Sequence, residues 1–226
     1  MILYPHHPII KIEFRSTELE EPRTNRQKRA KETKAKIIAA AKKVIAEKGF
    51  DNVSIEDIAK QANVATGSFY TYFKRKEDII DELNNNDFYR LAQLANEQQD
   101  ADILDRLTYY CKKFLLTIEE TGIEICRQWT KNNLSPTPME IRGEKITKYD
   151  FDYRAMQQVL DKAVKRGELA QHTPVQDFAL FFNAQLYGLM VAWCMTDSAI
   201  IGSQKVETFC KTIVKAALAP YRCNPT

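Results

Sequence analysis

One stretch decides the fold of this chain: Ser54-Ile-Glu-Asp-Ile-Ala-Lys-Gln-Ala-Asn-Val-Ala-Thr-Gly-Ser-Phe-Tyr-Thr-Tyr-Phe-Lys-Arg-Lys76. Ser54 and Asp57 have the three-residue spacing of a capping box at the start of a helix. Asn63 closes that helix, because asparagine accepts the left-handed backbone conformation more readily than most residues. Residues 66–73 then return to helical spacing. The stretch predicts a short helix, a tight turn and a second short helix.

The second of these helices has an apolar side and a polar side. Phe69 and Phe73 turn inward, and the 100° step per residue then turns the small polar residues outward. The outward residues are Thr66, Gly67, Ser68, Thr71 and Tyr72. Hydroxyl groups bond phosphate oxygens and base edges, and a glycine lets the backbone approach DNA closely. Simple solvation of a surface helix is the alternative, and it accounts for single residues better than for the whole face.

Positive charge is concentrated just before this stretch. The chain has a net charge of +3, but residues 23–48 contain ten Lys and Arg against Glu32 and Glu47, a net of +8. Such a patch attracts polyanions over about a Debye length. Lys76 is expected at the start of the next helix, where its charge and the helix N-terminus favour a phosphate. We expect a flexible tail over residues 1–22 and a helix-turn-helix DNA-binding domain over 23–75.

The composition of the 226 residues favours an all-α fold. Seven Gly and eight Pro leave few turns, and 44% hydrophobic residues suffice for a core. The first helix is expected to begin near Lys31 and to end at Gly49, where Phe50 folds back. Six further helices are predicted after the tri-helical head, at 77–98, 102–120, 123–134, 149–166, 174–195 and 204–218, with a loop at 135–138. They form a body over residues 76–220.

No catalytic or metal-binding pattern stands out. The three His are His6, His7 and His172, and no nucleophile with a base, phosphate-binding Gly loop or metal-ligand cluster accompanies them. We therefore expect no enzyme, no cofactor and no metal. Five Cys form an odd set without CxxC spacing, which indicates reduced thiols in the cytoplasm.

The residues 178–196 are free of charge and long enough to span a membrane. Asn183 and Gln185 interrupt the segment, Asp177 and Asp197 flank it, and no Lys or Arg anchor is adjacent. A helix that is apolar on all sides is equally expected when it is buried against protein. We expect no membrane span.

The chain resembles the TetR family of bacterial transcriptional regulators. The resemblance is strong over about residues 28–83, and its most specific part is Tyr70-x-Tyr72-Phe73 followed by Lys76-Glu77. In the body it is weaker, at Arg166-Gly-Glu-Leu169 and Leu186-Tyr-Gly-Leu189.

The resemblance implies that the third helix reads DNA. Base-facing contacts would come from Thr66, Gly67, Ser68, Thr71 and Tyr72, and phosphate contacts from Tyr70, Tyr72 and Lys76. The chain departs from the family pattern at three positions. Asn63 replaces a Gly in the turn, and Ala65 and Arg75 replace Ser residues that cap the third and fourth helices. A hydroxyl serves either base type, so these contacts explain DNA binding better than sequence preference.

The resemblance also implies a ligand pocket in the fourth to seventh helices and a homodimer interface from the last two. Candidate pocket residues are Tyr110, Phe114, Cys126, Trp129, Met156 and Tyr187. Each is equally explained as a core residue, but together they indicate a small, largely apolar effector. The implied protein is a dimeric repressor on a roughly palindromic double-stranded operator. Ligand binding would release it by shifting the fourth helix.

Two alternatives stay open. One is a TetR-like interaction module that binds no DNA. The other is a sensor of oxidants or electrophiles that uses Cys126 or Cys111, although the sequence shows no neighbouring pattern that would lower either thiol pKa.

Overall fold

The structure is a computed structural model that describes residues 24–98, 101–134, 139–141, 144–196 and 203–223. The predicted tail at residues 1–22 and the predicted loop at 135–138 lie outside this part of the chain. In the described part the fold is all-α, apart from one two-stranded hairpin and short turns. Three helices form the head and the remainder form the body, as the sequence predicts.

The first helix of the head, α1, extends over Asn25–Lys48. Its predicted start near Lys31 is wrong by six residues. Thr24 forms a capping box with Gln27, in which the Gln27 N–H donates to Thr24 Oγ1 at 3.2 Å and the Thr24 N–H donates to Gln27 Oε1 at 3.1 Å. Because the first turns are exposed and polar on every side, they carry no apolar period that would reveal a helix.

The two helices of the deciding stretch are α2 (Ile55–Ala62) and α3 (Thr66–Tyr70). The capping box of Ser54 and Asp57 is present, with bonds of 3.0 and 3.1 Å. Asn63 adopts the predicted left-handed conformation, with φ 54° and ψ 50°. The helix α3 ends three residues before the predicted end, in a turn in which the Tyr72 and Phe73 N–H groups both donate to Phe69 O.

A single apolar cluster fills the head. Phe69 is fully buried and its ring centroid lies 5.2 Å from that of Phe73, so both face inward as predicted. Ile37, Ile45 and Ile58 pack from α1 and α2 onto the same cluster. A 3-10 turn at Phe50–Asn52 follows the Gly49 C-cap of α1 and buries Phe50.

The body contains the remaining elements. They are α4 (Asp78–Glu97), α5 (Ile103–Thr121), α6 (Ile123–Asn133), β1 (Met139–Ile141), β2 (Glu144–Ile146), α7 (Lys148–Lys165), α8 (Val175–Thr196), α9 (Ser203–Phe209), a π-helical turn (Cys210–Val214), α10 (Lys215–Leu218) and a final 3-10 turn (Ala219–Tyr221). The predicted bounds of α4 to α8 agree within one residue at each end. The antiparallel hairpin β1–β2 was not predicted.

The C-terminal segment is fastened to the turn after α7. The Ala170 N–H donates to Tyr221 O at 2.8 Å, and the Cys223 N–H donates to Glu168 O at 3.0 Å. The ring of Tyr221 meets that of Phe178, in the first turn of α8, edge to face at 5.4 Å. The end of the chain and the beginning of α8 are therefore held at one place.

The helix α8 is long and apolar enough to cross a membrane by length and composition. It packs against α6 and α7, and its buried residues include Asn183. Only 28% of its most apolar window is buried, so one side of α8 packs in the body and the other side stays exposed.

Candidate DNA-binding face and ligand cavity

The outward face of α3 combines most of the predicted DNA-contacting residues. Gly67, Tyr70 and Thr71 are exposed, with 55% of Tyr70 accessible, whereas Thr66 and Ser68 are half-buried. A Cβ added at Gly67 would meet no protein atom within 4 Å, so the space above this residue is open to another molecule. These five residues form one small, hydroxyl-rich surface.

Tyr72 is placed less favourably. It is half-buried and packs against the core, and its ring centroid lies 6.5 Å from that of Phe73. Because α3 has already ended at Tyr70, Tyr72 belongs to the following turn and not to the helical face. Its contribution to a DNA contact is therefore limited to the edge of the side chain that remains accessible.

The phosphate contact of Lys76 stays a prediction, because in this structure its ammonium group is engaged inside the protein. The ammonium group donates to Phe50 O and Val53 O, both at 2.8 Å, and lies 4.3 Å from the centroid of the Phe50 ring. The charge thus lies against two backbone carbonyl groups, one in the 3-10 turn and one just after it, and such charge-assisted bonds are stronger than neutral ones. Lys76 fastens the start of the body to the end of the first head segment.

Asp78, in the first turn of α4, fixes the residues that precede the helix. Asp78 Oδ2 accepts from the Lys74 and Arg75 N–H groups at 2.9 and 3.0 Å, and Asp78 Oδ1 pairs with the Arg75 guanidinium at 3.3 Å. These bonds correspond to the carboxylate half of a capping box, and Arg75 provides no hydroxyl for the other half. At Ala65 no side-chain cap replaces the missing Ser.

The positive charge lies mainly on the exposed surface of α1. Exposed cations along it are Arg26, Lys28, Arg29, Lys31, Lys36, Lys42 and Lys43. Lys34 instead pairs with Glu82 at 2.8 Å, and Lys48 pairs with Asp57 at 3.1 Å. The helix adjoining the α2–α3 unit therefore presents a cationic surface of the kind that binds a phosphate backbone.

The body contains a narrow apolar cavity with a volume of about 10 Å³ accessible to the centre of a water molecule, which is about the space of one water. Its lining residues are Phe114, Ile118, Thr121, Cys126, Trp129, Lys148, Asp152, Tyr187 and Met190. The walls lie so close together that a bound ligand requires side chains to move. The described lining comes from α5, α6, α7 and α8.

Four of the six predicted pocket residues line this cavity: Phe114, Cys126, Trp129 and Tyr187. Their rings meet, since the Tyr187 centroid lies 5.9 Å from that of Phe114 and 6.0 Å from that of Trp129. Tyr110 and Met156 are not among the residues that line this cavity, and their contact with a ligand stays a prediction. They are almost completely buried and pack in the surrounding core.

A buried polar group at the cavity wall was missed by sequence reasoning. Lys148 forms an ion pair with Asp152 one turn further along α7, and the Tyr187 hydroxyl donates to Asp152 Oδ2 at 2.7 Å. Burial lowers the pKa of Lys148, although the Asp152 carboxylate opposes this effect. Burial and the same carboxylate raise the pKa of the Tyr187 hydroxyl. The pair adds hydrogen-bonding chemistry to a largely apolar wall.

The helix α6 connects this cavity to the head. Cys126 and Trp129 line the cavity, while the helix packs against α1 and the 3-10 turn. Glu124 and Lys131 of the same helix border a polar cleft with Gly49 and Asp51 of the head. A displacement of α6 therefore reaches both the cavity and the DNA-binding unit.

Residues 37–83 match the family described as "Bacterial regulatory proteins, tetR family". This match assigns the head of the chain to the TetR family. The matched residues contain α2, α3 and the turn between them, which are the elements that present the hydroxyl-rich surface. The protein is a DNA-binding transcriptional regulator with a helix-turn-helix head.

The chain is also similar to known proteins over a stretch that includes much of the body. The fatty acid metabolism regulator protein of Bacillus subtilis is 29% identical over 169 residues, which are 71% of this chain and 83% of that protein. The regulator TtgR of Pseudomonas putida is 24% identical over 76% of this chain and 84% of its own length. These relatives are transcriptional regulators.

A solved structure shares the fold of head and body. The crystal structure of FadR from Bacillus subtilis in complex with stearoyl-CoA superimposes with a TM-score of 0.58 at 24% identity. The match covers 82% of this chain and 98% of that one.

Proposed function

We propose that this TetR-family protein is a homodimeric, cytoplasmic repressor that leaves a roughly palindromic operator when a small molecule enters the body. The observation that carries the proposal is the position of α6, which lines the cavity on one side and packs against the head on the other. Opening the narrow cavity moves this helix, and the movement changes the position of α1 and of the helices attached to it. The ligand-bound protein then no longer adopts the conformation that fits the operator, and its operator affinity falls.

The operator contacts are assigned to the α3 surface formed by Thr66, Gly67, Ser68, Tyr70 and Thr71. Their hydroxyl groups meet phosphate oxygens and base edges in the major groove, and Gly67 gives room for close approach. The exposed cations of α1 add an affinity that is independent of sequence and falls with salt.

The dimer is assigned to α8 and the C-terminal helical segment. The exposed surface of α8 carries Leu180, Phe181 and Met195, and Ile213 is exposed on the π-helical turn. Large apolar side chains in such numbers on a monomer surface are typical of an interface. Two heads on one dimer reach successive major grooves about 34–36 Å apart, which requires a palindromic site.

We assign to the effector a long or aromatic apolar part and one hydrogen-bonding group. The rings of Phe114, Trp129 and Tyr187 accept the apolar part, and the pair of Lys148 and Asp152 lies where a polar group would be needed. The relative from Bacillus subtilis is named for fatty acid metabolism, so long-chain acyl compounds are the first class to test.

The experiment measures the binding of fluorescent DNA from the region upstream of the protein's own gene. We expect a preference of at least about 10³-fold over unrelated DNA, within the usual range for specific binding. An acyl compound that raises the melting temperature should also release the DNA.

The variant Tyr70→Ala provides the matched control. Because Tyr70 is exposed, its replacement should weaken operator binding and leave the ligand-dependent shift in melting temperature unchanged. Binding without sequence preference would reject the repressor, and an absence of DNA binding would favour the interaction module. A ligand that stabilises the protein without changing operator affinity would reject the coupling through α6.

A further inference from the structure

Cys126, which lines the cavity, contacts a second cysteine from a different helix. Cys126 of α6 and Cys194 of α8 place their Sγ atoms 3.3 Å apart, and all described cysteines are free thiols. A disulfide bond is about 2.05 Å long, so the two sulfur atoms need to approach by roughly 1.3 Å. Cys126 is 3% exposed, whereas Cys194 is half-buried and accessible to small solutes.

The two thiols have different acidities. The hydrogen bond with the Cys126 thiol lowers the pKa of Cys194 to about 7, and Thr130 and the Arg127 guanidinium lower it further, against partial burial and the Glu124 carboxylate, which raise it. The hydrogen bond to Cys194 and burial raise the pKa of Cys126. Arg127 is held beside the pair, since its Nε donates to Cys194 O at 3.0 Å. At neutral pH, Cys194 is therefore the nucleophile and Cys126 the protonated neighbour.

The other cysteines provide an internal comparison. Cys111 of α5 and Cys210 of the π-helical turn also form a hydrogen-bonded pair, but they are only 2% and 0% exposed. Cys223 is exposed near the C-terminus. Only the pair of Cys126 and Cys194, among the residues that the structure describes, combines a close second thiol with access from solvent.

We propose that Cys126 and Cys194 form a dithiol that is oxidised by peroxides and closes to a disulfide between α6 and α8. The Cys194 thiolate attacks one oxygen of a hydroperoxide, the O–O bond breaks, and the departing alkoxide or hydroxide takes up a proton. The product is a sulfenic acid on Cys194. The Cys126 sulfur then attacks this sulfur atom, the S–O bond breaks, and water leaves with the Cys126 proton. Two thiols and one hydroperoxide thus give one disulfide, one alcohol or water, and one water.

This bond would act on the helix that joins cavity and head. The thiol of Cys126 belongs to the cavity wall, and α6 packs against α1. A covalent link to α8 fixes α6 against the helix that also carries Tyr187 and Met190 of the lining. The effect on an operator rests on the proposed function, but formation of the disulfide does not.

The direct test uses a Cys223→Ser protein, so that an exposed thiol outside the pair does not form links between molecules. After treatment with hydrogen peroxide and blocking of free thiols, we expect the number of reactive thiols in the unfolded protein to fall from four to two. Mass spectrometry should find one linked peptide pair, containing Cys126 and Cys194. Four remaining thiols, or a link through Cys111 or Cys210, would overturn the proposal.

Two single variants separate the roles of the sulfur atoms. In Cys126→Ser no partner thiol is present, so a sulfenic acid on Cys194 should persist and react with dimedone. Cys210→Ser should form the link at the unchanged rate. If dimedone labelled Cys126 in a Cys194→Ser protein as strongly as it labelled Cys194 in Cys126→Ser, the assignment of the nucleophile would be wrong.

The pH dependence gives a further readout. Because the thiolate is the reactive form and its fraction rises with pH through the pKa, the rate of link formation should increase from pH 6 to pH 8 with a midpoint near 7. A rate that did not change over this interval would overturn the proposal.

Operator binding by the reduced and oxidised forms then tests the consequence. A change in operator or effector affinity on oxidation, absent in Cys194→Ser, supports regulation, and equal affinities overturn it. If neither form binds DNA, the proposed repressor function is rejected. Detection of the linked peptide still tests whether the disulfide forms.

Discussion

Replacing Lys76 by Met distinguishes a structural role of this residue from the DNA contact expected from sequence. The substitution keeps most of the apolar stem and removes two bonds of 2.8 Å to Phe50 O and Val53 O, together with the contact on the Phe50 ring. Bonds from a charged donor contribute about 1.5–3 kcal/mol each, and the lower end applies because the ammonium is half-exposed. With partial hydration of the freed carbonyls, we expect a loss of about 3 kcal/mol.

This loss should lower the melting temperature by roughly 6–12 °C for a chain of this size. The assay is thermal unfolding followed by circular dichroism, combined with operator titrations at several salt concentrations well below the melting transition. The folded variant should keep the salt dependence of binding unchanged. Loss of a phosphate contact would instead reduce the slope of log K against log salt by about 0.9 per contact.

The neighbouring Lys74→Met variant is the matched control. Lys74 is exposed, and its backbone N–H, which donates to Asp78, survives the substitution. Its melting temperature should therefore stay unchanged. A Lys76→Met protein with unchanged stability and a smaller salt slope would refute the structural role and restore the phosphate contact.

Three further substitutions test separate parts of the molecule. Asn63→Ala should destabilise the head by about 1 kcal/mol while Asn63→Gly does not, because only the alanine meets the left-handed penalty; equal melting temperatures would contradict this. Phe181→Asp should give folded monomers in sedimentation velocity, since 64% of Phe181 is exposed. The nearby Gln176→Glu should leave dimers intact, and a dimeric Phe181→Asp protein would reject this interface. Tyr187→Phe removes a bond of 2.7 Å to Asp152 and should cost about 1.5–3 kcal/mol in urea unfolding; an unchanged midpoint would show that the bond adds nothing to stability.

Much of the head could be predicted because local signals there agree with the tertiary structure. The capping box at Ser54, the left-handed Asn63 and the spacing of Phe69 and Phe73 each specify one geometry. The first turns of α1 gave no such signal, since their helical state depends on the Thr24 cap and not on an apolar face. Apolar periodicity cannot reveal a helix segment that buries nothing.

The cavity was only partly predictable for a different reason. Large aromatic residues at helical spacing indicate a core, which was enough to find Phe114, Trp129 and Tyr187. Lys148 and Asp152 have the i,i+4 spacing that usually indicates an exposed ion pair, and only packing of α7 reveals that they are buried. In the same way, the 68 positions that separate Cys126 from Cys194 in sequence concealed their contact.

The fastening of Tyr221 and Cys223 to the turn after α7 closes a noncovalent ring in the chain. The hydrogen bond between Ala170 and Tyr221 joins the two ends of the segment 170–221. The start of α8 and the end of the C-terminal helical segment are therefore held at one shared base. Opening that base would release both helices at once, and we expect their amide protons to exchange with solvent as one cooperative unit. Motion that enters at either helix is therefore expected to reach the other through this shared base.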